Sequence, residues 1–101
     1  MNVIVSDHAY TRAKERCGLQ KKSIDRMAKR AFEAGVNGVK IKGIAAGWIE
    51  NHRENHEAKH IYVYGDKAWI YADNNSNTTM VLVTVLSIPT GIASQIRKQV
   101  A

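Results

Sequence analysis

Apolar positions recur every three to four residues through the first third of the chain, a spacing typical of amphipathic helices. We predict a first helix from about Asp7 to Cys17, with Ser6 as its N-cap and Gly18 as its C-terminal stop. A second helix is predicted over residues 21–34. An extended segment over residues 3–5 precedes both.

The middle of the chain is less regular. The glycine-rich residues 35–38 predict a loop, and residues 39–42 predict a short extended piece. A helical face then recurs as far as about Asn55, and we predict a third helix from it; its positions are Ile44, Ala45, Trp48, Ile49 and His52.

From Lys59 the apolar period changes to two. Residues 60–64 and 67–71 are two β-rich runs around Gly65-Asp66, a pattern that predicts a hairpin with a two-residue turn. A third strand is predicted over residues 79–87, and its continuous apolar run indicates burial on both faces. Pro89 ends it, and a closing helix follows with apolar positions Ile92, Ala93, Ile96 and Val100.

Helices followed by strands indicate an α+β fold. We predict one domain over residues 1–101, with N-terminal helices packed on a three- to four-stranded antiparallel meander and a C-terminal helix.

Composition restricts the class of protein further. An apolar fraction of 45% excludes a disordered chain. No segment approaches the roughly 20 apolar residues that a membrane helix needs, and the start of the chain lacks a leader pattern, so we predict a cytoplasmic protein without a membrane partner. Cys17 falls on the apolar side of the first helix, which predicts a buried small side chain rather than a catalytic thiol.

The net charge of +6 is distributed unevenly. Residues 1–42 contain ten lysines and arginines against four acids, whereas residues 43–101 contain five of each sign. A basic half of this kind suggests a polyanionic partner, either RNA, a ribonucleoprotein or an acidic protein. The alternative is a surface whose charge serves only solubility.

The first helix carries the best candidate chemistry. At 3.6 residues per turn, His8, Arg12, Glu15 and Arg16 fall within an arc of roughly 100°, opposite Ala9, Tyr10, Ala13 and Cys17. Metal-free RNA cleavage needs a proton carrier and cations, which His8, Arg12 and Arg16 supply, with Glu15 orienting an arginine or sharing the proton transfer. Alternatively, His8 is an ordinary helix-start residue.

Further cations and aromatic residues are candidates for RNA contacts. Phosphate contacts are predicted for Lys14, Lys22, Arg26, Lys29 and Arg30, although such stripes are often merely solvated. Aromatic side chains alternate on the predicted hairpin and either stack on bases or form core, of which core is favoured; they are Tyr62, Tyr64, Trp69 and Tyr71.

Three histidines recur at intervals of four, namely His52, His56 and His60, with Glu57 beside them. The zinc-protease pattern H-E-x-x-H requires a glutamate directly after its first histidine, where this chain has Arg53. We therefore predict no metal site and no cofactor.

Three segments of the chain carry recognisable motifs. They are His8-Ala9-Tyr10-x-Arg12-x-x-Glu15-Arg16 followed by Gly18-Leu19, Ile61-Tyr62-Val63-Tyr64-Gly65-Asp66, and Leu82-Val83-Thr84-Val85-Leu86-x-Ile88-Pro89. Together these segments resemble small proteins of prophages and mobile elements related to the barnase, EndoU, colicin and RelE superfamily.

The resemblance implies N-terminal helices on an antiparallel meander and a metal-independent endoribonuclease, with the family's His-x-x-x-Arg matched by His8 and Arg12. The alternatives are a non-catalytic, anti-CRISPR-like inhibitor of a ribonucleoprotein and the toxin of a toxin–antitoxin module.

Overall fold

The computed structural model describes residues 2–55, 60–73 and 78–100. Within them lie four α-helices, five β-strands and one short 3-10 turn. In chain order they are β1 (Asn2–Val5), α1 (Asp7–Cys17), α2 (Lys21–Ala34), β2 (Val36–Asn37), the 3-10 turn Gly38–Lys40, α3 (Ile44–Asn55), β3 (His60–Tyr64), β4 (Lys67–Asp73), β5 (Thr79–Ser87) and α4 (Thr90–Val100).

The strands form one mixed sheet in the order β1-β5-β4-β3-β2. β3, β4 and β5 are the predicted antiparallel meander, and β2 pairs antiparallel with β3. β1 pairs parallel with β5, with Val3 opposite Met80. The expectation of a purely antiparallel sheet of three to four strands is therefore wrong, because the segment at the start of the chain joins the last strand in parallel.

Helices cover both faces of the sheet. On one face, α1 and α2 pack on a cluster that includes the fully buried Trp69, Tyr71 and Leu82. On the other face, α3 and α4 pack on a second cluster that includes Ile61 and Ile70. Met80, Leu82 and Val85 of β5 belong to the first cluster, whereas only the half-buried Leu86 of β5 packs against the second. The expected burial of β5 on both faces is therefore met only in part.

Local sequence explains the ends of α1 and the hairpin. The Ser6 side chain accepts a hydrogen bond from the Ala9 amide at 3.1 Å, and Gly18 adopts a left-handed φ of 64° at the other end, as the sequence predicts. Gly65 and Asp66 have φ values of 59° and 58°, so both central residues of the two-residue turn have the positive φ that tight hairpins prefer.

Three expectations from the sequence are wrong, one on a local conformation and two on buried positions. The extended piece predicted at residues 39–42 is instead the 3-10 turn Gly38–Lys40, because the Asn37 side chain accepts from the Val39 amide and turns the chain; the strand is the preceding β2. Ile44 at the start of α3 does not face the core, since it is 78% exposed, and Val100 at the end of α4 is 50% exposed.

No helix in the described ranges is long and apolar enough to cross a membrane.

Candidate nucleic-acid interface

The two N-terminal helices carry a large part of the basic excess. Residues 7–34, which comprise α1, α2 and the link between them, carry eight lysines and arginines against four acids. These helices bury Ala9, Ala13, Ile24, Ala28 and Ala31 against the sheet, so their charged residues are left on the outside. On the opposite layer, α3 and α4 carry three lysines and arginines against two acids, and Lys40 and Lys42 lie just before α3.

The outward face of α2 carries four of the predicted phosphate contacts, namely Lys22, Arg26, Lys29 and Arg30. All four side chains are exposed, and none of them makes a hydrogen bond or an ion pair within the part of the chain that the structure describes. Glu33 is also exposed, one turn beyond Lys29. Four cations without carboxylate partners remain available to an anionic ligand.

The predicted catalytic residues share one flank of α1 but differ in their contacts. His8 is exposed in the first turn of the helix. Arg12 and Glu15 form an ion pair at 3.5 Å, in which the two side chains are 40% and 57% exposed. Arg16 donates a hydrogen bond to the Val85 carbonyl of β5 at 3.0 Å, so part of its guanidinium ties the helix to the sheet.

The opposite flank of α1 faces α2 and contains Tyr10, which was expected on the apolar side of the helix but contacts polar residues of α2. The Tyr10 hydroxyl donates a hydrogen bond to Asp25 of α2, and the Lys21 ammonium lies 5.0 Å from the centre of the Tyr10 ring. The bond to Asp25, together with desolvation and the nearby carboxylate charges, raises the pKa of Tyr10 to about 12. Tyr10 is therefore a protonated donor at neutral pH.

A surface pocket of about 530 Å³ lies on this flank. Its walls come from α1, the link and the first turns of α2; the lining residues are Asp7, Tyr10, Thr11, Lys14, Gly18, Leu19, Gln20, Lys21 and Ile24. The spacing of Asp7, Tyr10, Thr11 and Lys14 already places them on one side of a helix. The wall formed by α2 could not be predicted from the sequence, because the angle between α1 and α2 depends on tertiary packing.

The aromatic residues of the hairpin belong to the core, as expected, and do not form an open platform. Trp69 and Tyr71 are fully buried, and Tyr62 and Tyr64 are half-buried against the same cluster. The Tyr71 hydroxyl donates to the Ala28 carbonyl of α2 at 2.7 Å, and burial raises its pKa. Base stacking on this sheet face would require α2 to leave it.

Two members of the histidine series are separated in the structure. His52 stacks on Trp48 of the same helix, whereas His60 on β3 contacts Asp73 at 3.2 Å. His56 and Glu57 lie outside the described residues. Within the described ranges, no group of three His, Cys, Asp or Glu side chains is arranged to hold a metal ion.

Cys17 is partly buried, and burial raises the pKa of its thiol, while Lys67 and Arg16 act in the opposite direction.

Comparison of the chain with models of protein families, with curated proteins and with solved structures finds no match.

Proposed function

We propose that this chain binds single-stranded RNA through the outer surface of the α1–α2 layer. The observation that carries the proposal is the unpaired basic face of α2, formed by Lys22, Arg26, Lys29 and Arg30, on a layer where cations outnumber acids by two to one. Phosphates are recognised by lysine and arginine side chains that are not already neutralised by carboxylates. The resemblance noted in the sequence, to RNA-directed proteins of phages and mobile elements, agrees with this surface.

Anisotropy of a labelled single-stranded RNA tests the proposal with two variants of equal charge change. The first variant is Lys22→Gln/Arg26→Gln/Lys29→Gln on α2. The matched control is Lys40→Gln/Lys42→Gln/Lys98→Gln, whose exposed side chains lie on the layer beyond the sheet. Both variants lower the net charge by three.

We expect the α2 variant to lose most of its affinity and the control to retain it. Equal losses in the two variants would mean that only net charge matters, and the proposed interface would be wrong. Both variants could instead retain RNA binding while the α2 variant loses binding to an acidic protein. That result would favour an acidic protein as the partner.

A second and narrower proposal is that the same protein cleaves RNA on the His8 flank of α1. Its supporting observation is that the exposed His8 and the half-buried Arg12 are one turn apart on a helix of the basic layer. An exposed imidazole beside a guanidinium is able to transfer a proton near a phosphate whose charge the guanidinium offsets. Arg16 and Glu15 are the supporting residues.

Incubation of RNA with the wild type, His8→Gln and Arg26→Gln tests cleavage. We expect His8→Gln to abolish product formation at saturating RNA, whereas Arg26→Gln weakens binding and leaves the saturated rate intact. Absence of cleavage by the wild type would remove this second proposal and leave the RNA-binding one in place.

A further inference from the structure

The pocket between α1 and α2 combines an apolar floor with a positive rim. Ile24 is 1% exposed and forms the floor with the half-buried Leu19. Lys14 and Lys21 are exposed at the lining. A volume of about 530 Å³ lies in the range of small-molecule sites, which bury an apolar part of the ligand and orient it with a few polar groups.

The two lysines are free of carboxylate partners. The Lys14 side chain makes no hydrogen bond or ion pair with any other described residue, and the Lys21 ammonium lies over the face of the Tyr10 ring. Tyr10 itself is held by its bond to Asp25, which fixes this wall of the pocket. An anionic group at the rim would therefore meet two unpaired ammonium groups without displacing an existing ion pair.

Other polar groups of the lining are also available. Gln20 stands at the N-cap position of α2 but makes no capping bond with its side chain, so its amide is able to donate and to accept. Thr11 donates its hydroxyl proton to the Asp7 carbonyl and retains its acceptor lone pairs, and the Asp7 carboxylate is exposed at the lining. Nucleobase edges present donors and acceptors of this kind.

From these features we infer that the pocket holds one nucleotide of a single-stranded RNA, with the base against Leu19 and Ile24 and the phosphate between Lys14 and Lys21. An aliphatic floor fits an unstacked base, and the two ammonium groups fit its phosphate. The basic face of α2 starts at Lys22, next to Lys21, so a strand that follows that face reaches the pocket. The inference rests on the proposed RNA binding and adds the subsite at which one base leaves the strand.

Binding of uridine 5′-monophosphate, followed by amide chemical shifts in NMR, tests the subsite separately from the basic face. Uridine and inorganic phosphate are the two partial probes. We expect the monophosphate to shift the amides of Leu19, Gln20 and Ile24, and to bind more tightly than either partial probe. Shifts confined to the outer face of α2, or no saturable shifts, would overturn the inference while leaving RNA binding by α2 intact.

Two variants sharpen the test. Lys14→Gln/Lys21→Gln should weaken monophosphate binding by about tenfold, equivalent to about 1.4 kcal/mol. Lys40→Gln/Lys98→Gln, with the same charge change on the opposite layer, should leave it as in the wild type. Equal weakening in both variants would show a general charge effect and overturn the assignment of the phosphate to Lys14 and Lys21.

Competition identifies the source of the nucleotide. A single-stranded RNA should displace the monophosphate from the wild type, because one of its nucleotides occupies the pocket. If saturating RNA leaves the monophosphate bound, the pocket is a separate site for free nucleotides and the strand path is wrong. If an acidic peptide shifts the pocket amides and the monophosphate does not, the ligand class is wrong.

Discussion

Leu82 shows how much one side chain contributes to the core on the α1–α2 side of the sheet. It is fully buried on β5 among Val5, Ala9 and Tyr71. We expect Leu82→Ala to lower the free energy of unfolding by about 2 to 5 kcal/mol, because the removed methyl groups leave a cavity that the surrounding strands fill only in part.

Urea denaturation followed by circular dichroism measures this loss. Val39→Ala is the matched control, since Val39 is 79% exposed and an aliphatic side chain at the surface contributes no more than about 0.5 kcal/mol. Losses of similar size at both positions would contradict the two-layer packing.

The hydrogen bond from Tyr10 to Asp25 changes the ionisation of Tyr10. The pKa of Tyr10 is raised to about 12 in the folded protein because its hydroxyl donates to a carboxylate. We expect Asp25→Asn to move the pKa of Tyr10 back towards its ordinary value of about 10, because the variant removes the negative charge that disfavours the phenolate. NMR titration of the tyrosine ring resonances provides the measurement.

Because folding raises the pKa of Tyr10, the free energy of unfolding should depend on pH in the alkaline range. The folded state holds the Tyr10 proton more tightly than the unfolded state, so this contribution is complete below about pH 10 and is lost as the pH rises towards 12. Asp25→Asn should show a smaller loss of stability over that interval. Tyr71, whose pKa burial also raises, contributes equally to both proteins and cancels in the comparison.

At the scale of elements, Arg16 connects α1 to the sheet. Its guanidinium donates to the Val85 carbonyl at 3.0 Å, whereas Arg12 on the same flank pairs with the exposed Glu15 at 3.5 Å. We expect Arg16→Ala to lower the free energy of unfolding by about 1 kcal/mol, because a partly buried carbonyl loses its donor. Arg12→Ala should change it by less than about 0.5 kcal/mol, as exposed pairs contribute little.

Thermal and urea unfolding of the two variants shows which arginine helps to dock α1 on the sheet. A larger loss for Arg12→Ala would show that the docking of α1 depends on the exposed pair. If Arg16→Ala leaves stability unchanged and still lowers RNA cleavage, its contact with β5 is incidental to its role.

Local sequence was sufficient for the elements whose ends are set by neighbouring residues. Ser6 and Gly18 define α1, and Gly65-Asp66 defines the β3–β4 hairpin, as predicted. The parallel pairing of β1 with β5 was missed because it joins positions such as Val3 and Met80, which no local period relates. Ile44 was misplaced because an apolar residue at the start of a helix satisfies the period without being buried.

Part of the candidate site was also predictable from the sequence. Helical spacing correctly placed Lys22, Arg26 and Lys29 on one exposed face and Ala9 and Ala13 in the core. It did not reveal the bond from Arg16 to β5 or the pocket between the two helices, since both depend on how α1 and α2 are oriented in three dimensions.

At the scale of the whole molecule, the sheet separates α1 and α2, in which cations outnumber acids by two to one, from α3 and α4 on its other face. Neutralised phosphates release counterions, so RNA affinity should fall steeply as salt rises from about 50 to 200 mM. For single strands each contact contributes about 0.7 to the slope of log affinity against log salt, so Lys22→Gln/Arg26→Gln/Lys29→Gln should reduce the slope by about 2.

Anisotropy titrations over that salt range measure both slopes. The Lys40→Gln/Lys42→Gln/Lys98→Gln control should keep the slope of the wild type. An unchanged slope in the α2 variant would show that these three cations do not contact phosphates.

Cleavage, where it occurs, should depend on the 2′-hydroxyl of the RNA. In the proposed reaction His8 takes the proton from that hydroxyl and the 2′-oxygen attacks phosphorus. The bond to the 5′-oxygen then breaks as that oxygen takes up a proton from solvent water. Arg12 and Arg16 offset the charge that grows on the phosphate oxygens in the transition state. We therefore expect 2′,3′-cyclic phosphate ends, undiminished cleavage in EDTA, and no cleavage where the scissile nucleotide is 2′-deoxy. If the deoxy substrate is cut, or if zinc restores activity that EDTA removes, water on a metal is the nucleophile and the mechanism through His8 is wrong.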